Sequence, residues 1–298
     1  MSNIIFTEEY EYETKNIQSP IIKWVGGKSQ IIEEILKNIP NEIENYYEPF
    51  IGGGSVLFAI LSTPQITIRN KIKASDVNKI LINFYNDVKN NCEKLIKKIK
   101  EIVKKYREFD EDGQEKYYYE LRKKYNEINI SIDKSAMFYV INKTCFRGLY
   151  REGPNGFNVP YGHYKNPTII NEDEIRNVSK LIKNVEFICE SFEEGFCEEK
   201  FTQNDFIYLD PPYVPEKSTS FVGYTSDGFS LEKHKKLFDR CVELKKENIR
   251  IMMSNSDVEL ATDIFDKNLF FIKRIVCKRS INSKKPGSKT MEVIIKSY

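Results

Sequence analysis

The chain has 298 residues, enough for one large domain or for a core domain with an insertion. It is 40% hydrophobic and 30% charged, with 19 Phe and 18 Tyr, which excludes a disordered chain and supplies a packed core. A formal net charge of +2 excludes nucleic-acid binding through overall charge, so such affinity must rest on local basic patches.

Residues 1–18 are polar and read as an N-terminal extension. The stretch Ile21 to Lys28 leads into a helical pattern from Ser29 to Asn38, stopped by Pro40. Tyr46 to Phe50 reads as a strand, Gly52 to Gly54 as a tight turn, and Ser55 to Leu61 as a helix. A strand ends near Asp76, and a helix follows from Val77 to about Asn90. From 91 to 184 the character changes. Helical patterns at 91–107, 114–127 and 133–143 precede a loop rich in Gly, Pro, Arg and Tyr at 146–168, then one more helix. Strands return at Val185 to Cys189 and at 205–209, then a helix at 230–247 and a strand from Arg250 to Met253. β-like stretches near 269–277 and 291–296 finish the chain. Strands alternating with helices at both ends predict a mostly parallel sheet covered on both faces, interrupted by a mainly helical insertion.

Six cysteines, at 92, 145, 189, 197, 241 and 277, have neither metal-ligand nor redox spacing, and only His163 and His234 could assist them. They read as reduced, mostly buried thiols of an intracellular, cytoplasmic protein, and no metal is expected. No apolar run reaches membrane-spanning length, and Met1 to Thr14 is acidic and polar, so neither a signal peptide nor a transmembrane helix is expected.

Asp210-Pro211-Pro212-Tyr213 carries the sharpest chemical signal. Two consecutive prolines have no N–H to give a sheet ladder, so the chain must leave the sheet at Asp210. A carboxylate, stiffened carbonyls and an aromatic face then share a strand's C-terminal end, where open α/β sheets bind ligands. Such a cluster can accept hydrogen bonds from a planar amino group while Tyr213 stacks on the ring that carries it. The bland alternative is a proline-rich turn.

Glu48-Pro49-Phe50-Ile51-Gly52-Gly53-Gly54-Ser55 gives a strand, a glycine turn and a helix start. The dinucleotide fingerprint is incomplete, because its third glycine would fall at Leu57. Asp76, ending the next strand, suits the two hydroxyls of a ribose, or equally a helix cap. Lys23-Trp24-Val25-Gly26-Gly27-Lys28-Ser29 ends like a phosphate-binding loop, but Ile22 stands where that loop needs glycine, which excludes nucleoside triphosphate binding by this route. Trp24 and Lys28 suit a small carboxylate ligand, or a core Trp beside a capping turn. The segment from Asn142 to Lys165 alternates basic, amide and aromatic side chains with turn residues, as a DNA-contacting loop or a solvated one would. Lys273 to Lys289 carries seven basic residues and no acidic one. That suits a loop tracking a phosphate backbone, or a plain charge run.

Taken in order, Lys-Trp-x-Gly-Gly-Lys, Glu-Pro-Phe-x-Gly-Gly-Gly, Gly-Leu-Tyr-Arg, Phe-Asn-Val-Pro-Tyr-Gly and Asp-Pro-Pro-Tyr closely resemble the Dam-like (alpha-class) adenine-specific DNA methyltransferases, from about Ile21 to the C-terminus. The resemblance implies a Rossmann-like catalytic domain over 19–90 and 185–298, with a target-recognition insertion at 91–184. It implies methyl transfer from S-adenosylmethionine to adenine's exocyclic amino group in a short palindrome of double-stranded DNA, after the base is flipped out. Asp210, Pro211, Pro212 and Tyr213 would be catalytic. Trp24, Gly26, Gly27, Lys28, Phe50, Gly52, Gly54, Asp76, Ser191, Phe192 and Asp210 would hold the cofactor, with Ser191 standing where many relatives carry Asp. Lys23, Arg147, Tyr150, Arg151, Asn158, Pro160, Tyr161, Lys284 and Lys285 would face DNA. Arg147 stands where several GATC-methylating relatives have Asn, so the implied target is GATC or a related site such as CATG. The family also implies a role in restriction–modification or DNA self-protection, a separately acting endonuclease as partner, and a monomer or weak dimer. The rivals are a methyltransferase of RNA or of a protein amide, and a non-catalytic DNA-binding relative.

Overall fold

The computed structural model describes residues 17–214, 229–265, 267–278 and 289–298. In chain order, the helix α1 (Ile32–Leu36) is followed by β1 (Glu42–Ile43), β2 (Tyr46–Glu48), α2 (Ser55–Leu61), β3 (Thr67–Ile68), β4 (Ile72–Asp76) and α3 (Lys79–Asn90). Then come α4 (Cys92–Arg107), α5 (Glu111–Glu127), α6 (Ile132–Thr144), β5 (Glu152–Gly153), β6 (Gly156–Phe157) and α7 (Glu172–Leu181). The chain closes with β7 (Val185–Cys189), β8 (Phe206–Leu209), α8 (Leu231–Lys246), β9 (Arg250–Ser256), α9 (Glu259–Thr262), β10 (Phe271–Lys278) and β11 (Lys289–Lys296).

Seven strands form one sheet in the order β10-β11-β9-β8-β2-β4-β7. The five from β9 to β7 run parallel, and the β10–β11 hairpin joins antiparallel to β9. Strand order reverses at β2, with β4 on one side and β8 on the other. A crevice therefore opens at the C-terminal ends of β2 and β8, which is the ligand position this topology favours.

Alternation along the central strands divides the core in two. Tyr46, Phe206, Tyr208, Met252 and Ile294 pack with the α2–α3 side and with α4 to α7. Tyr47, Ile207, Leu209, Ile251, Met253, Val293 and Ile295 pack with Leu237, Phe238, Cys241 and Leu244 of α8. Burial on both faces explains why β8 reads as an unbroken apolar run rather than an alternating one.

Between β4 and its neighbour β7 the chain makes a long excursion through α3 to α7. In α4, Leu95, Ile96, Ile99, Val103 and Tyr106 form one buried stripe at helical spacing. The helix α6 is buried nearly all round, from Ser135 to Asn142, and forms the centre of this layer. Ser131 caps α6 and Asp110 caps α5, each accepting from the backbone N–H three residues on. The expected helix Ser29–Asn38 is shorter, because Lys28 to Ile31 form turns instead. Three of the cysteines are buried, Cys92 and Cys197 are half-buried, and Cys189 is exposed.

Candidate active site and DNA-facing surface

The glycine turn after β2 is shaped by its neighbours. Gly52 has φ 47°, and a Cβ there would meet the Trp24 ring at 3.0 Å. Only glycine combines that backbone with that approach. Asp76 Oδ2 accepts the Gly52 N–H at 3.1 Å and Asp76 Oδ1 accepts the Asn78 N–H at 2.9 Å, so the carboxylate ties the turn to the end of β4. The cap of α3 is Asn78, which accepts from Leu81 N–H, so Asp76 is not needed in that capacity. Burial pushes the Asp76 carboxyl up, against the pull of its backbone N–H partners.

The chain leaves the sheet after Leu209, as the prolines require. Asp210 Oδ2 meets Lys28 Nζ at 2.5 Å, and Lys28 Nζ also donates to the Gly26 carbonyl at 2.5 Å. Lys28 is almost fully buried, so its ammonium serves Asp210 rather than standing open for a carboxylate ligand. Asp210 Oδ1 is buried and makes no hydrogen bond among the described residues. Burial raises Asp210 to about 6, with Lys28 opposing the rise. A second carboxyl, Glu48, is buried at the end of β2, where Tyr46 donates its phenol to Glu48 Oε2 at 2.7 Å. Burial pushes Glu48 up to about 8. The sequence marked this Glu only as part of a strand end.

These groups line one cavity of about 650 Å³, a size suited to a cofactor or a drug-sized ligand. Trp24, Gly26, Gly27, Lys28, Phe50, Gly52, Asp76, Ser191, Phe192 and Asp210 to Tyr213 all border it. Phe50, Phe192 and Phe229 form an aromatic wall, with ring centroids 5.2 to 5.8 Å apart. Gly54 is not among the lining residues. Its φ of 74° begins α2, and a Cβ there would meet the Phe58 ring at 2.9 Å, so its role is structural. The Ser191 hydroxyl exchanges hydrogen bonds with Glu194, whose carboxylate also takes the Ser191 N–H at 3.0 Å. This reciprocal cap occupies Ser191 in its own turn.

Residues 24–281 match the family model of D12 class N6 adenine-specific DNA methyltransferases. The chain belongs to this family. It is 38% identical over 292 residues to the type II methyltransferase M.MjaIII of Methanocaldococcus jannaschii, covering 94% of this chain and 99% of that one. Type II methyltransferase M1.LlaDCHI of Lactococcus lactis is 33% identical, covering 94% of this chain and 95% of the relative. A DNA adenine methylase of Haemophilus influenzae is 34% identical over 88% of this chain and 87% of its own. The mixed α/β sheet with helices on both faces is the fold expected of such an enzyme, an adenine-specific DNA methyltransferase.

In this D12 methyltransferase the excursion after β4 meets the cavity through Trp24. The Trp24 ring stacks on Tyr150 at 5.3 Å and 30°, and Phe138 of α6 approaches its edge. Asn142 of α6 clamps Lys23 by accepting its N–H at 2.8 Å and donating to its carbonyl at 2.7 Å. The Lys23 ammonium lies 4.2 Å from the Tyr164 ring centre. Arg147 is exposed with φ 56°, and Gly148 follows at φ 64°. An Arg in this left-handed region is strained, and such strain gathers at functional sites. Arg151 Nε donates to Asn158 Oδ1 at 2.6 Å across the β5–β6 hairpin. From 157 to 161 burial alternates, with Asn158 and Pro160 exposed and Phe157, Val159 and Tyr161 buried. Tyr161 therefore does not face DNA. Its phenol meets that of Tyr106 at 2.5 Å inside the helical layer. Phe146, 43% exposed beside Arg147, is the surface aromatic that residue-by-residue reading missed. Its place beside Arg147 in the basic and aromatic 142–165 segment was the available signal. Lys284 and Lys285 lie outside the described residues. Among the described residues no helix is long and apolar enough to cross a membrane, and no group of three or more His, Cys, Asp or Glu could hold a metal.

Proposed function

We propose that the chain transfers a methyl group from S-adenosylmethionine to the exocyclic amino nitrogen of adenine within a short palindrome of double-stranded DNA. One observation carries the reading: a buried carboxylate oxygen, Asp210 Oδ1, without a donor among the described residues, on the wall of a cavity at the sheet's switch point. An amino group is the donor it lacks. The wall also fits the cofactor, with Asp76 for ribose hydroxyls and the Phe50–Phe192–Phe229 wall for a purine ring. S-adenosylmethionine would supply an electrophilic methyl on a positively charged sulfur.

The chain's own groups do the rest. Asp210 Oδ1 and the Pro211 carbonyl accept from the adenine amino group and draw its nitrogen toward a tetrahedral shape, freeing the lone pair to attack in line. Lys28 keeps Asp210 ionised at neutral pH despite burial. The proton is lost from nitrogen only as the new bond forms, so a carboxylate near 6 suffices to hold it. Tyr213 gives a face on which the extruded base stacks.

The region 91–184 acts as the target-recognition insertion. Lys23, together with Arg147, Tyr150, Arg151, Asn158 and Pro160 of the insertion, forms the DNA-facing edge, and Phe146 supplies an exposed ring beside them. The target is a four-base palindrome of the GATC or CATG kind, and the type II names of two relatives favour a restriction–modification role with a separate endonuclease. The test is transfer of a tritiated methyl group to an unmethylated duplex, followed by digestion with methylation-sensitive nucleases. Asp210→Ala should abolish transfer and leave DNA binding in place. Turnover near wild type in that variant, with the label on adenine, would overturn the catalytic assignment.

A further inference from the structure

Behind the catalytic loop, three side chains of the neighbouring strands hold it from the rear. Glu292 of β11 accepts the Tyr213 phenol O–H at 2.8 Å. Asn255 of β9 accepts the Val214 N–H at 3.1 Å, and Ser256 donates its hydroxyl to the Val214 carbonyl at 2.5 Å. Asn255 and Ser256 are both buried, and Glu292 is the register partner of Ser256 across the β9–β11 pair. Both backbone groups of Val214 are thus satisfied by β9, while the other end of the loop is fixed by the pairing of Leu209 with Met253.

Within this frame the Tyr213 ring projects from the loop and its phenol donates to the Glu292 side chain, so the ring is held by its far end. Lys28 Nζ, 5.0 Å from the ring centre, sits over the same ring. A face meant to receive an extruded base must be planar, open and fixed before the base arrives, because a small misplacement costs rate rather than fold.

We infer that Glu292 is a positioning residue that acts through the Tyr213 hydroxyl to hold the base-stacking ring in its working plane. The inference rests on the reading of Tyr213 as the stacking face, and the experiment separates the two. Single-turnover and steady-state kinetics are measured on Glu292→Ala, Glu292→Gln, Tyr213→Phe, Tyr213→Ala and the Glu292→Ala/Tyr213→Phe double variant. Extrusion is followed with a duplex carrying 2-aminopurine at the target position.

Glu292→Ala should lower kcat about tenfold or more, with KM for the cofactor changed less than about twofold. Glu292→Gln keeps an acceptor oxygen and should recover most of the loss. Tyr213→Phe keeps the ring and removes the hydroxyl that Glu292 holds, so it should lose about as much as Glu292→Ala. The double variant should be no worse than either single one by more than about twofold, because both remove one interaction. Losses that multiply in the double variant, or Tyr213→Phe turning over like wild type, overturn the inference even if Glu292→Ala does not fold. If Tyr213→Ala itself leaves kcat and the 2-aminopurine signal unchanged, the stacking reading fails as well.

Discussion

The Lys28–Asp210 pair makes the pH profile of methyl transfer a direct reporter of the site. In the wild-type enzyme Asp210 titrates at about 6, because burial raises it and the ammonium 2.5 Å away holds the rise in check. Lys28→Met keeps a side chain of similar length in a nearly closed space and removes the charge. Breaking a buried, hydrogen-bonded pair costs roughly 3–5 kcal/mol, or ~2–4 pKa units at ~1.4 kcal/mol each. Asp210 is 19% exposed on its cavity side, so the lower end applies and the midpoint should move to ~8. On the proposed mechanism the charged carboxylate is the working acceptor, so activity should be present above the midpoint and lost below it. At pH 7 the ionised fraction should fall from ~90% to ~10%, a loss of about ninefold in kcat, largely regained at pH 9. The assay is kcat for tritiated methyl transfer from pH 5 to 9.5 at saturating cofactor. It is repeated in a Glu48→Gln background, because Glu48 titrates at about 8 and would otherwise overlay its own limb. An acidic midpoint that stays near 6 in Lys28→Met, or a loss that alkaline pH does not repair, would refute the argument.

Asp76→Ala should weaken cofactor binding by about 1.5–3 kcal/mol, roughly 10- to 150-fold by calorimetry, through loss of a charge-assisted contact. Arg147→Gly should relieve a left-handed Arg and raise stability by about 1 kcal/mol in denaturant melts, yet cost ~1–3 kcal/mol of discrimination at one base pair in duplex titrations. Equal loss on every duplex would make Arg147 a phosphate contact instead. Glu48 is held neutral in the fold with its pKa raised to about 8, above the ordinary carboxyl value of 4.5, so the folded state binds the extra proton between those values and stability falls as pH rises through them. Relative to wild type, Glu48→Gln should therefore gain ~1.4 kcal/mol of stability per pH unit across that window and then level off, read as the difference in chemical-denaturation free energy.

Most elements were legible because their patterns are local. The stripe of α4 and the apolar run of β8 announce a one-sided and a two-sided burial, and Pro211 and Pro212 mark where the sheet ends. Most residues named for the cofactor border the cavity and were legible from motif order, whereas Gly54 does not border it and Glu193, Phe229 and Lys233 were not foreseen. What escaped the sequence depends on partners far along the chain. Lys28 looked free until Asp210 met it. Tyr161 looked like part of a surface loop until Tyr106 of a distant helix took its phenol. Glu48 gave no sign of burial, because the phenol that partners it comes from Tyr46 of the same buried strand. β9 runs on to Ser256, beyond the expected Met253, because Ser254, Asn255 and Ser256 satisfy buried partners that no hydrophobic pattern reveals.

The segment from Lys23 to Lys28 touches three things at once: Asn142 of the helical layer, Tyr150 of the hairpin approach, and Asp210 of the catalytic loop. On the proposed reading of 91–184 as the recognition insertion, this limits how freely that insertion can be exchanged between relatives. A transplanted 91–184 region arrives with its own amide and ring, and both must find Lys23 and Trp24 at the host's spacing. A graft that also carries the donor's Lys-Trp-x-Gly-Gly-Lys segment would keep that joint intact, at the risk of misplacing the lysine that neutralises Asp210. On that reading the unit of exchange is discontinuous, the Lys23 to Lys28 hexapeptide together with the insertion it grips.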